Sequence, residues 1–325
     1  MSSVFEKRVS FKPFEYPELY DFVDAINHSY WVHSEYNYTS DIHDFHVNLN
    51  ENEKEIVKNA MLAISQIEVN VKRFWSNLYN QFPKPEFDAL GNTFGESEVR
   101  HSRGYAHVLE ILGLNDSFEK LIENPVIQGR IDYLGKYLKN AGSNNKELYT
   151  LTLVLFSLFI ENCSLFSQFF VIKSFNKHKN TFKGIDNVIQ ATIKEEQLHA
   201  LAGSHIIKII KKENPEWFND EFYKSIAKAC KKAFSAECNI IDWIFESGEP
   251  SFLKKELVIE FVKNRFNESL VMIDCVPIFE VNQELLKQCE WFNIEVLSET
   301  HTDFFWKTPT NYTKKKQAIT DEDIF

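Results

Sequence analysis

Apolar residues recur at three- and four-residue spacing through most of the chain, and two-residue alternation is scarce, so the sequence predicts an all-α protein. Helical periodicity begins near Glu51 and runs to about Phe82, where Pro83 and Pro85 stop it. A second predicted helix covers about Glu86 to Leu112 and ends at Gly113; a shorter one, Val126 to Asn140, is closed by Ala141-Gly142-Ser143. An almost wholly apolar helix runs from about Lys146 to Lys177. The next runs from Gly184 to Asn214, stopped by Pro215, and three more lie near 217–246, 252–283 and 291–299. No internal repeat or low-complexity segment is visible. Residues 1–50, aromatic-rich and irregular, read as an N-terminal arm packed on the bundle, and 51–301 as one helical domain. From Thr302 the periodicity fails, and 302–325 reads as a flexible tail.

The apolar helix raises a membrane question. Its run Thr150 to Ile160 is interrupted at once by Glu161, well short of the roughly 20 residues a bilayer needs. A helix apolar all round is then the central helix of a bundle. No leader-like start is visible, and the expected setting is cytoplasmic with no membrane partner. The 14% aromatic content, with 29 Phe, suits wide helix–helix interfaces. A net charge of −11 argues against nucleic acid as the main partner. Cys163, Cys230, Cys238, Cys275 and Cys289 form no CxxC pair and read as free thiols in a reducing compartment.

Chemistry enters with two Glu-x-x-His tetrads, Glu98-Val99-Arg100-His101 and Glu196-Gln197-Leu198-His199. Positions i and i+3 share a helix face, so each tetrad aims a carboxylate and an imidazole the same way. Two such helices, with one inward Glu from each of two more, make the dinuclear carboxylate site of a ferritin-like bundle. Glu161 sits in the apolar helix among Leu158, Leu165 and Phe169, where a lone carboxylate needs a metal or a cation. Glu68 is the candidate from the fourth helix. Iron and manganese favour this oxygen and imidazole set, and two His with four carboxylates balance most of the charge of two ions. Glu96 and Glu195, beside the ligand candidates, point about 100–200° away on their helices and need not bind metal.

The segment Glu98-x-x-His101-Ser102-Arg103-Gly104-Tyr105 resembles the small, radical-generating beta subunit of class I ribonucleotide reductase, in which such a pair is followed four residues later by the radical tyrosine. Glu161, thirty-five residues before Glu196, fits the same family, and the similarity runs from Trp31 to the C-terminal tail. The resemblance implies a metal site oxidised by an oxygen species. It would store a one-electron hole for a separate catalytic alpha subunit, which reduces ribonucleotides to deoxyribonucleotides for DNA replication. It also implies a homodimer. Trp31 matches the tryptophan on the route from the metal, and His101 would link it to the site. The acid on that route is usually Asp; here the matching position carries the longer Glu195. Tyr312 resembles the tail tyrosine that relays the radical between subunits, and Asp321-Glu322-Asp323-Ile324-Phe325 resembles the peptide that docks on alpha.

Two departures bear on the cofactor. Glu68 stands where the di-iron tyrosyl-radical enzymes usually have Asp, yet Tyr105 is retained where the manganese–iron subclass places Phe. Glu68 with Lys72 and Tyr105 is most similar to the dimanganese subclass, in which the metal pair itself is the oxidant; Mn/Fe or Fe2 are the alternatives. Tyr105 would then be an ordinary hydrogen-bonding residue. Lys72, one turn from Glu68, either hydrogen-bonds a ligand carboxylate or forms a surface salt bridge. Competing expectations are a ferritin-like ligand-binding oxidase acting on a small or lipid-like substrate, and an iron-storage ferroxidase. The oxidase has no use for Trp31, Tyr312 or the acidic tail. The storage proteins use shorter chains.

Overall fold

The computed structural model describes residues 3–296, so Tyr312, the tail 302–325 and the last residues of the helix expected at 291–299 lie outside the described residues. Among the described residues eight long helices form: α1 (Leu19–His28), α2 (Glu51–Ser76), α3 (Pro85–Ile111), α4 (Pro125–Ala141), α5 (Lys146–Lys179), α6 (Lys183–Glu213), α7 (Asp220–Ile244) and α8 (Lys255–Met272). No strand forms among the described residues. Local chemistry starts most of them. Asn50 and Glu53 form a capping box at α2, Pro85 opens α3, and Asn124, Asn145 and Asn219 accept backbone N–H groups at α4, α5 and α7.

α2, α3, α5 and α6 pack in a closed ring, α2 on α3 and α5, α6 on α5 and α3, while α7 and α8 cover the outer side of α5. α5 is long and apolar enough to cross a bilayer, but 89% of its most apolar window is buried by the other helices. It is the core of the bundle.

The structure differs from the sequence-based expectation at several elements. Residues 1–50 are not irregular throughout: α1 buries Leu19, Val23 and Ile26, an i, i+4, i+7 stripe that surrounding aromatics obscure. The first predicted helix breaks after Ser76, and Leu78–Gln81 forms a separate turn. The helix expected to reach residue 283 stops at Met272, because Asp274 takes a left-handed φ of 59° and Pro277 follows. α5 is not uniformly α-helical, since Val154–Ser164 winds as a π-helix.

α6 has no local cap. Asp41 accepts N–H bonds from Gly184 (3.1 Å) and Ile185 (2.7 Å), and Asp44 accepts from Phe182 (2.9 Å). A Cβ on Gly184 would lie 2.4 Å from the Asn37 carbonyl, so only glycine admits this approach. The segment before α2 thus caps the helix that carries Glu196 and His199.

The extreme N-terminal stretch is held through Glu86, whose carboxylate accepts from Arg8 (2.5 Å) and from the backbone N–H of Glu15 (2.7 Å) and Tyr16 (3.3 Å). Burial would raise the Glu86 carboxyl, but Arg8 and these N–H groups outweigh it and hold it below its ordinary value. A depressed carboxyl contributes stability above its unfolded pKa and loses it as pH falls through the folded one. Hydrogen exchange at residues 8–20 is therefore expected to rise on acidification below the ordinary carboxyl range, and in Glu86→Gln already at neutral pH. Equal protection of variant and wild type across that range would refute the assignment.

Candidate metal centre

Each helix of the inner ring contributes to one buried cluster: Glu68 from α2, Glu98 and His101 from α3, Glu161 from α5, Glu196 and His199 from α6. The residues fall into two overlapping groups. Glu68, Glu98, His101 and Glu196 form one, and Glu98, Glu161, Glu196 and His199 the other; within each group one potential ligand atom per residue lies within 4.8 Å of the rest. Glu98 and Glu196 belong to both. His101 Nδ1 stands 3.3 Å from Glu98 and 3.0 Å from Glu196; His199 Nδ1 stands 3.0 Å from Glu98, 3.4 Å from Glu196 and 3.6 Å from Glu161.

These atoms converge without bonding one another. Both oxygens of Glu68, Glu98 and Glu196, one of Glu161, and Nδ1 of both imidazoles are buried and lack a hydrogen-bond partner. Orphaned donors and acceptors at this density are costly unless a cation supplies the missing bonds, so the residues fit a pair of metal ions. The imidazoles are prepared for that role from behind. His199 Nε2 lies 3.0 Å from Ser97 Oγ, whose own proton goes to the Phe94 carbonyl at 2.7 Å. Ser97 therefore accepts from Nε2–H, which leaves the Nδ1 lone pair facing the cluster. His101 Nε2 likewise faces Glu195 at 2.8 Å.

The charges follow. Burial first, then the negative charge of Glu98, pushes the Glu68 carboxyl well above its ordinary range; burial and the charges of Glu196 and Glu98 do the same to Glu161. Burial opposes the charging of both imidazoles but is outweighed by the carboxylates around them, so His101 rises well above its usual value and His199 rises to about 9. Without metal, protons offset the acidic charge, and divalent cations would replace them.

Glu161 sits on the π-helical segment, and its other oxygen accepts a 2.7 Å bond from Trp75 Nε1. Sequence reasoning missed Trp75, although it lies seven residues after Glu68 and so shares its face of α2. Ser97 and Arg100 were also missed, one beside and one inside the first tetrad.

Glu195 points away from the cluster, as its helix position predicts, and meets His101 from the far side. It also accepts from Trp31 Nε1 at 3.3 Å and from Arg100 Nη1 at 2.9 Å. The longer side chain thus closes the link between Trp31 and His101. Their rings lie 6.0 Å apart, nearly parallel at 14°. A Cβ on Gly104 would come within 3.2 Å of the Trp31 ring, which leans on the backbone of α3. Glu96 is engaged elsewhere, on Arg100 Nε at 2.9 Å.

Tyr105 is fully buried, and its phenol neighbours the Thr192 side chain. Burial and then the charge of Glu68 push its phenol well above its ordinary range. Lys72 makes neither expected contact among the described residues. Its Nζ lies 3.5 Å from Ser102 Oγ, which donates to the Glu98 carbonyl at 2.8 Å, because close packing of α2 on α3 puts Ser102 in its path.

Helices and cluster together define a ferritin-like bundle of the carboxylate–histidine, dinuclear-metal class. The family model for the ribonucleotide reductase small chain matches residues 8–285, and the chain belongs to that family. It is thereby an oxidoreductase component that works with a large subunit. The chain is 26% identical, over 94% of its length and 85% of the relative's, to a probable ribonucleoside-diphosphate reductase small subunit of Invertebrate iridescent virus 3. Among solved structures it resembles the ribonucleotide reductase R2 subunit of Clostridium botulinum, with TM-score 0.79, 17% identity, and coverage of 90% of this chain and 94% of that one. It also resembles a dimanganese(II) protein of Streptococcus sanguinis, with TM-score 0.74, 15% identity, and coverage of 87% and 99%. At such identities the structural likeness concerns the fold.

Proposed function

We propose that this chain is the radical-generating beta subunit of a class I ribonucleoside-diphosphate reductase, with a dinuclear metal centre held by Glu68, Glu98, His101, Glu161, Glu196 and His199. When bound and activated by an oxygen species, the metal pair supplies a stored one-electron oxidant. The chain's own residues do the rest. Ser97 and Glu195 set the tautomers of His199 and His101, and Trp75 orients Glu161. Trp31, bonded through Glu195 to His101, is the first stepping stone toward the catalytic alpha subunit, and Tyr312 is the relay in the tail that docks there.

The observation that carries this reading is the Trp31–Glu195–His101 chain, which leads outward from the cluster through 3.3 Å and 2.8 Å contacts. A ligand-binding oxidase has no use for such a path, and the family match is to the reductase small chain. Manganese is the preferred metal because Glu68 stands at the first ligand position, with Lys72 one turn on and Tyr105 retained. Lys72 would act on the centre through Ser102 and the backbone of Glu98. A homodimer in the cytoplasm completes the proposal, with no nucleic-acid partner.

Protein loaded separately with Mn(II) and Fe(II), activated and assayed with alpha, tests the metal. A coupled multiline manganese EPR spectrum without a tyrosyl signal, together with activity, is expected. Activity carried only by an iron-dependent tyrosyl radical would refute the manganese preference and return Tyr105 to the centre.

A further inference from the structure

α8 gives no residue to either metal-facing group, yet its polar side chains bind the segment of α5 that carries Glu161. Arg265 is buried, and its Nε donates to the Asn162 carbonyl at 2.9 Å while Nη2 bonds the Asn162 side-chain oxygen. Ser269 Oγ accepts from Asn162 Nδ2 at 2.8 Å and stands 3.5 Å from the Leu158 carbonyl. The Arg265 guanidinium lies 3.7 Å from the centre of the Phe166 ring. Its described hydrogen bonds go to neutral Asn162 and not to a carboxylate, so a buried cation here is an expensive way to hold two helices together. Something beyond packing is needed to account for it.

The π-helical winding supplies the reason. One residue added to or removed from a helical turn rotates every following side chain by about 100°. The direction of Glu161 therefore depends on whether Val154–Ser164 keeps its wide turns. Trp75 grips only the carboxylate tip. α6 presses close on the same segment, since a Cβ on Gly203 would lie 2.2 Å from Ser157 Oγ.

We propose that Arg265 is a positioning residue for the Glu161 half of the metal centre: through Asn162 it locks α5 in the register that aims Glu161 at His199. The inference rests on the dinuclear reading above and names a residue outside the ligand set. Its signature is selectivity, because Glu161 belongs to only one of the two metal groups.

The test is Mn(II) binding to the full-length chain, with the Mn–Mn coupling read by EPR and hydrogen exchange followed at 154–164. Wild type is expected to bind two ions, and R265M to keep one tight ion while the second weakens about 10- to 100-fold, a typical cost of losing an outer-shell contact. R265K, which can still donate to Asn162, should fall between. Lys173→Met, which breaks the pair of buried Lys173 with half-buried Asp186 (2.9 Å), should lower thermal stability and keep both ions. Faster exchange at 154–164 should accompany the selective loss. Two unchanged sites in R265M, or equal weakening of both, would overturn the clamp. If R265M fails to fold, Ser269→Ala carries the test, with a smaller selective loss expected and an unchanged isotherm counting against it. A wild type that binds no metal pair overturns the site reading and the clamp with it, whereas paired ions in wild type and R265M alike overturn the clamp alone.

Discussion

Glu98→Ala is expected to yield a folded bundle that holds no metal pair and supports no turnover with the large subunit. Glu98 belongs to both metal-facing groups, and its two oxygens stand 3.3 Å from His101 and 3.0 Å from His199. Its loss removes a donor from both positions at once, so the effect should exceed the roughly 10- to 100-fold typical of an outer-shell change. Glu68→Ala, confined to one group, should retain one ion. Burial opposes ionisation of Glu98, but His101 and His199 outweigh it and hold its carboxyl below the ordinary range, so metal-free Glu98→Ala should melt below metal-free wild type at neutral pH. Metal analysis with thermal melts of the metal-free proteins reads both effects. Two tightly bound ions in Glu98→Ala would refute the ligand assignment.

Truncation after Asn311 is the second change with a large expected effect, and it should act in the opposite way. Metal content and the EPR spectrum should match wild type, while turnover with alpha falls to background. The removed residues carry both functions proposed for the tail, the relay at Tyr312 and the acidic docking peptide. Tyr312→Phe separates them: it deletes the redox-active phenol and keeps the peptide, so binding to alpha should persist while turnover is lost. Full activity in the truncated chain would sink both assignments, and full activity in Tyr312→Phe would sink the relay alone.

Much of the site was legible because its information is local. Glu98 with His101, and Glu196 with His199, share a face by three-residue spacing, and Glu161 stands out as a carboxylate in an apolar helix. The contacts that prepare these groups were less legible. Trp75 reaches Glu161, and Ser97 reaches His199, between helices distant in sequence; no periodicity reports on such pairs. Glu195 shows the same limit. Its helix position tells that it faces away from Glu196, but only packing of α3 on α6 brings His101, Arg100 and Trp31 around it. Lys72 was placed by its i+4 relation to Glu68, and Ser102 of the neighbouring helix intervened.

The sequence by itself determined the helical class, most helix boundaries and the residue types of the dinuclear cluster, because helix periodicity, caps and breakers act within a few residues of each other. Tertiary structure decided the rest. It imposed the π-helical winding around Glu161, which Arg265 and Ser269 brace from α8, and it started α6 on Asp41 and Asp44 from an earlier segment. It also chose which nitrogen of each histidine faces the cluster. These are decisions about backbone carbonyls, orphaned N–H groups and buried protons, whose partners exist only once the helices have packed.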